Sequence, residues 1–453
     1  MRARGPIACV LAALVVGIAP PALAAPGPPG DPEWWFDTWN VPSLWDAGAR
    51  GQGMTIAEID TGVNAKVPEL GGRVLHGKDF GAAGGDGRTD HDVKPFGHGT
   101  AMASIMVARP TPRFNIAGLA PDAKVLPIAV PLRGTNDPKA GGDHLADAIR
   151  WATDRGAKII SMSLGGSRDP SHDKVPCPDD EQAAITRAIS KGAIVVAAGG
   201  NDGQKGSPVE EPGVCLGVVS VGAVNSKGVV PAFSSRHNYL TVTAPGVNVP
   251  TLGRIPGQAY SGNGTSQATA ITSAALALVW SKFPKLTGRQ IVARLLATLD
   301  RRTAKRDAAY GFGIVNAGRA IRAAVPADAA NPVFAPLDPF VAAERRSSTH
   351  LAPPPVAGAK ASPPGRFAVG QMPTAWSSRV WSGIVMAVLG VLALAMLAIV
   401  GIRRSRRFAA LGPDADRRPK QARRDPDAAP IPTYRDEAGL IWHDLSPPPD
   451  PPG

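Results

Sequence analysis

Gly264-Thr265-Ser266-Gln267-Ala268-Thr269-Ala270 sets a serine on a tight glycine turn, and an apolar, helix-forming run over 271–280 follows at once. Such a turn lifts a hydroxyl clear of the backbone and points the unpaired N–H groups of the new helix toward it. Taken alone the stretch reads as an ordinary helix cap, since Ser and Thr are common there. Two upstream stretches change that reading. Residues 57–63, Ala-Glu-Ile-Asp-Thr-Gly-Val, end an apolar strand in Asp60 and a glycine turn. Residues 96–103, Phe-Gly-His-Gly-Thr-Ala-Met-Ala, put His98 between glycines at the head of another helix. A fourth piece, Ala197-Ala198-Gly199-Gly200-Asn201, closes the apolar strand 194–196 with an amide able to donate to an oxyanion.

Around these pieces strands alternate with helices. Strands are expected at 55–60, 124–130, 157–163 and 193–198, with helices after His98, over 145–152 and over 181–190. This rhythm predicts an α/β fold, a mainly parallel sheet with helices on both faces. In such sheets the active site lies beyond the carboxyl ends of the strands, where Asp60, Ser163-Leu164-Gly165 and Asn201 all fall.

The chain order Asp60, His98, Ser266 is that of subtilisin and differs from those of chymotrypsin and the α/β-hydrolases. Over roughly residues 45–325 the chain resembles the subtilisin-like serine proteases. In that chemistry Ser266 is a poor nucleophile until His98 takes its proton. His98 later returns a proton to the leaving amine, and Asp60 holds the imidazole tautomer. Asn201 and the Ser266 N–H would stabilise the oxyanion. The resemblance further implies that residues 161–165 and 197–199, Ser163, Leu164, Gly165, Ala198 and Gly199 among them, form extended edges that pair with substrate backbone beside the specificity pocket. Backbone pairing reads extended peptides, so a polypeptide substrate is expected. Two positions depart from the family pattern. Ala270 stands where proline is usual, a change that leaves the chemistry intact, and Gly199-Gly200 replaces Ala-Gly, which should enlarge the space near the pocket.

Cys9 lies in the N-terminal apolar run, leaving Cys177 and Cys215 as an even pair. A disulfide in an oxidising compartment suits them, with two free thiols as the alternative. Both sit in polar, insert-like loops, 167–180 and 202–214 with the residue after it. A bridge would close a loop of about 40 residues. The Gly- and Asp-rich loop 71–97 holds His76, Asp79, Asp86, Asp90, His91 and Asp92. Several subtilisins bind structural calcium in such loops, but no fixed ligand spacing is visible here. Solvated acidic turns are the reading, and no metal or cofactor is predicted.

The 453 residues leave room for one large domain plus extensions. The net charge of +12 comes without a basic block interleaved with aromatics, so nucleic acid is not expected as a partner. Arg2 and Arg4 precede the apolar run 7–18 and a small-residue site at Ala22-Leu23-Ala24, which together read as a signal peptide over 1–24. Residues 25–45, with Trp34, Trp35, Phe36, Trp39 and Trp45, are too short for a folded prodomain. They read as an aromatic-rich strap on the catalytic domain, residues 46–325, with an inhibitory peptide as the alternative.

Residues 326–375 are rich in Pro and Ala and read as an extended linker. Residues 380–402 contain no charge and are long enough to cross about 30 Å of hydrocarbon. Trp376 and Trp381 stand at one end and Arg403-Arg404-Ser405-Arg406-Arg407 at the other. These flanks orient a single C-terminal transmembrane helix with its C-terminus cytoplasmic and the protease extracytoplasmic. The tail, 403–453, mixes charges and prolines and reads as disordered. This architecture is similar to that of the mycosins, membrane-anchored proteases of type VII secretion. The resemblance implies cleavage of secreted polypeptides and contact with the membrane components of that machine. The alternatives are a mainly stabilising subunit and a general surface protease.

Overall fold

The computed structural model describes residues 33–132, 135–139, 144–167, 177–342, 433–435 and 440–446. The leader 1–24, the apolar segment 380–402 and its arginine cluster lie outside the described residues. All the described residues fall in one compact unit, in which residues 433–435 and 440–446 join those before residue 343. The elements run α1 (Trp34–Trp39), α2 (Val41–Asp46), β1 (Thr55–Asp60), β2 (Lys78–Asp79), α3 (His98–Val107), β3 (Lys124–Ala129), α4 (Leu145–Asp154) and β4 (Ile159–Met162). They continue with β5 (Gly166–Ser167), α5 (Asp179–Ser190), β6 (Ile194–Ala198), β7 (Glu210–Glu211), β8 (Val219–Val224), β9 (Val242–Pro245), β10 (Val249–Leu252) and β11 (Ala259–Gly262). The series closes with α6 (Thr265–Lys282), α7 (Gly288–Ala297), α8 (Ala317–Arg322), β12 (Thr433–Arg435) and β13 (Ile441–Asp444).

The main sheet has the order β2-β3-β1-β4-β6-β8-β9, and each of its neighbouring pairs is parallel. Its central strands are buried along almost their whole length, with β6 and β8 buried at every residue. Continuous Val, Ile and Ala runs such as Ile194-Val195-Val196-Ala197-Ala198 are what a sheet covered on both faces requires. Helices α3 and α6 pack together on the sheet, and α4 and α5 pack together elsewhere on it. Residues 265–281 of α6 are all buried. Its small and apolar residues suit an interior helix, and its buried start fixes Ser266 beside the strand ends.

Residues 33–46 form two short helices, with Trp35, Phe36, Trp39 and Trp45 buried. Trp45 donates its indole N–H to the Leu119 carbonyl at 3.0 Å, and Arg322 donates to the Trp39 carbonyl at 3.1 Å. The aromatic segment is thus pinned to two distant parts of the domain.

Two expectations are corrected. The extended linker does not begin at residue 326, because Val333, Phe334, Leu337 and Val341 are buried against the domain. Arg289 donates to Asp338 at 2.7 Å, and its guanidinium lies 4.7 Å from the Phe334 ring centroid. The helical spacing 333, 337, 341 supplies the apolar stripe that overrides the Pro- and Ala-rich composition. The tail is not wholly disordered either. β12 and β13 form an antiparallel hairpin, and β13 pairs with β11, giving a second sheet of order β10-β11-β13-β12. Burial of Trp442, 1% exposed, drives this docking. Among the described residues no helix is long and apolar enough to cross a membrane.

Candidate active site

Asp60 is the last residue of β1 and is fully buried. Its two oxygens lie 2.8 and 3.0 Å from His98 Nδ1. A carboxylate can only accept, so Nδ1 carries a proton, and in the neutral ring Nε2 is then the basic nitrogen. The Thr61 N–H donates to Asp60 at 2.8 Å and holds the carboxylate in place. Helix α3 comes close enough for this because neither facing residue has a side chain: a Cβ on Gly99 would overlap the Gly62 carbonyl.

The start of α3 is capped by residues that the sequence reading took for solvated loop acids, and that reading is corrected. Asp90 and Asp92 are buried. Asp92 accepts from the His98 N–H at 2.9 Å, and Asp90 accepts from the Thr100 N–H at 2.8 Å and from its hydroxyl at 2.6 Å. Between them the Gly99 N–H donates to the Thr61 hydroxyl at 3.0 Å, which itself donates to Asp90 at 2.8 Å. Three successive N–H groups that would otherwise be unpaired at a buried helix start are therefore satisfied. Burial outweighs these bonds and raises the pKa of both carboxyl groups above the ordinary carboxylate value. Asp79, also buried, bonds His91 at 2.9 Å.

Ser266 is the second residue of α6. Its hydroxyl donates to the Ser163 carbonyl at 2.8 Å, and the Ser163 hydroxyl donates back to the Ser266 carbonyl at 3.1 Å. The end of β4 and the start of α6 are thereby locked together. Asn201, three residues past β6, accepts through Oδ1 from the N–H and the hydroxyl of Thr265, both at 2.9 Å. Both partners are donors, which fixes the amide's orientation and leaves Nδ2 as the group available to an oxyanion.

The pocket residues divide in two. Ser163, Leu164 and Gly165 follow the last paired residue of β4, and Gly165 is exposed. Ala198 is the last residue of the internal strand β6, and Gly199 follows it. Ala198 pairs with Val221, and the Gly199 N–H donates to the Val221 carbonyl at 2.9 Å. Their β8 side is thereby engaged, and pairing with β4 on the other side ends at Ala197. The space that Gly200 opens is filled: a Cβ there would lie 2.5 Å from Glu210 Cγ. Glu210, on β7, is buried, and its Oε2 lies 3.4 Å from where a Gly165 Cβ would be. The space beside Gly165 and Gly200 is therefore taken up by a carboxylate that the sequence reading missed. An acidic pair ahead of Pro212, in a loop between two core strands, was the available signal. Close by, Cys177 and Cys215 are joined by a disulfide, both sulfurs buried.

A parallel sheet that delivers these groups to its carboxyl edge, with the hydroxyl at the head of a buried helix, makes the chain a serine endopeptidase of the subtilisin type. Residues 51–313 match the subtilase family, Peptidase_S8, and the chain belongs to that family. It is 32% identical over 284 residues to the major intracellular serine protease of Bacillus subtilis, spanning 60% of this chain and 84% of that one. Against subtilisin E of the same species it is 31% identical over 286 residues, 61% of this chain and 68% of the relative. Among solved structures it resembles two mycosins. One is MycP1 of the ESX-1 type VII secretion system, with a TM-score of 0.58 and 28% identity over 66% of this chain and 88% of that one. The other is MycP3 of ESX-3, with a TM-score of 0.55 and 30% identity over 65% and 90%.

Proposed function

We propose that the chain cleaves secreted polypeptides with Ser266 as nucleophile, His98 as general base and then acid, and Asp60 as the group that holds and stabilises the imidazolium. The observation that carries this reading is the bond from buried Asp60 to His98 Nδ1, which leaves Nε2 as the only basic nitrogen of the ring. When the Ser266 hydroxyl leaves the Ser163 carbonyl and attacks, its proton passes to Nε2. The negative oxygen then draws on Asn201 Nδ2 and the Ser266 N–H. The protonated ring gives its proton to the departing amine, and water repeats the cycle on the acyl-enzyme. Labelling by a fluorophosphonate probe, lost in Ser266→Ala, tests the assignment. Labelling that persists in Ser266→Ala would overturn it.

The likeness to MycP1 and MycP3 supports work beside a type VII secretion system and contact with its membrane components. One solved MycP1 is described as an essential component of the ESX-1 system, which favours a second, stabilising role for the domain. Ser266→Ala separates the two roles: secretion retained without cleavage means stabilisation, and loss of both means proteolysis. The leader and the cysteine pair support an extracytoplasmic catalytic domain, and residues 380–402 would anchor it by a single crossing with the C-terminus cytoplasmic. A crossing of that kind draws residues 403–453 away from the catalytic domain.

A further inference from the structure

A substrate whose scissile carbonyl draws on Asn201, and whose backbone lies along residues 163–165, has one way in for the side chain before the scissile bond. It enters between Gly165 and the glycine pair Gly199-Gly200. These three residues carry no side chains, yet the room they leave is occupied from within. A Cβ on Gly199 would overlap the fully buried Leu240. A Cβ on Gly200 would lie 2.5 Å from Glu210 Cγ and 3.1 Å from its Cδ. On the other wall, the position of a Gly165 Cβ is 3.4 Å from Glu210 Oε2 and 4.0 Å from Glu210 Cβ. One side chain thus reaches both walls of the entrance.

That side chain is held in place. Glu210 is 5% exposed, and its N–H donates to the Tyr239 hydroxyl at 3.0 Å. The Tyr239 ring stacks on His237, with centroids 4.4 Å apart and planes 11° from parallel. β7 pairs with β5 directly after the 163–165 edge, Ser167 opposite Glu210 and Gly166 opposite Glu211. Behind Gly200, the Ser235 N–H donates to the Gly200 carbonyl at 3.0 Å, and the Ser235 hydroxyl accepts from the Asp202 N–H at 3.1 Å. Backbone bonds fix both walls and the stem between them. Interiors packed in this way yield little to an added side chain.

We infer that Glu210 is the size limit of the primary specificity pocket: its side chain fills the space beside Gly165 and Gly200 and confines the residue before the scissile bond to side chains no larger than those of Ala or Ser. The inference deepens the proteolytic reading proposed above and rests on it. The role is one of bulk, so it should survive loss of the charge and not loss of the volume. The test uses the detergent-solubilised full chain and peptide p-nitroanilides that differ only in the last residue, Ala, Leu, Phe or Lys. The parent should prefer Ala. Glu210→Ala and Glu210→Ser should each raise the Leu-to-Ala ratio of kcat/KM about ten- to hundredfold, the scale on which missing space in a pocket discriminates. Glu210→Gln keeps the volume and should keep the parent's ratio. A parent that prefers Leu or Phe would overturn the inference, and this measurement decides even where a variant fails to fold. A ratio unmoved in both small variants, with Ser266 still labelled by the fluorophosphonate, would overturn it too. So would a parent preference for Lys that Glu210→Gln abolishes, because the carboxylate would then act by charge. A parent that neither labels at Ser266 nor hydrolyses any of the four peptides would overturn the proteolytic reading, and this one with it.

Discussion

Replacing Asn201 by Asp isolates the oxyanion donor from everything else the side chain does. In the folded protein Oδ1 accepts two hydrogen bonds from Thr265, and a carboxylate keeps both. What changes is the other atom, which turns from a donor into an acceptor facing the developing negative charge. For loss of the corresponding donor in subtilisin itself the penalty is about 10²–10³ in turnover, roughly 2.7–4 kcal/mol. A carboxylate oxygen adds repulsion, so Asn201→Asp should reach at least that loss in kcat while KM and the melting temperature barely move. Asn201→Ala should behave differently. It leaves two Thr265 donors without their acceptor at a residue with no exposure, and each unpaired buried donor costs about 1–3 kcal/mol. That variant should lose melting temperature as well as turnover. The assay is peptide hydrolysis normalised to the burst of fluorophosphonate-reactive sites, with a thermal melt on the same samples. An Asn201→Asp enzyme within tenfold of the parent in kcat would refute the assignment of Nδ2. A Ser266 labelling level that fell with kcat would instead mean that the site had come apart.

The aromatic segment should behave as core: Trp39→Ala, which removes a ring 1% exposed, is expected to cost about 3–5 kcal/mol in denaturant unfolding with little change in turnover per folded molecule. Opening the Cys177–Cys215 bridge by Cys215→Ser should lower the denaturant midpoint by an amount equivalent to about 2–4 kcal/mol. Burial of Glu33 raises its pKa from 4.5 to about 8, so the folded state holds a proton there that the unfolded chain has lost. Stability from this group is therefore complete below pH 4.5 and is lost as pH rises toward 8. Glu33→Gln should flatten that decline and raise the melting temperature at pH 8 more than at pH 5, a gain on the order of 2–5 kcal/mol.

What the sequence made legible is what is encoded within a few residues. Asp60, His98, Asn201 and Ser266 each stand where an apolar run meets a glycine turn, and a parallel sheet turns such junctions into positions along one edge. The α/β rhythm was legible for the same reason, because burial on both faces forces strands into unbroken Val and Ile runs. Asp90 and Asp92 escaped because a Gly- and Asp-rich loop has the composition of a solvated turn. Only the approach of α3 to β1 makes it the cap of a buried helix. Glu210 escaped because its place is set by the antiparallel pairing of β7 with β5, a contact with no trace in either strand of two residues.

The two misread C-terminal segments share one cause. Both were judged by composition over tens of residues, whereas what docks them is a handful of apolar side chains at a fixed period. In 333–341 the period is that of a helix, and in 440–442 Leu440 and Trp442 alternate as on a strand. Such short patterns are too weak to hold structure alone, so their reading depends on a partner surface. The edge of β11 offers one because it is a strand with a free side next to two aromatic rings. Whatever lies along that edge sits beside Ser266.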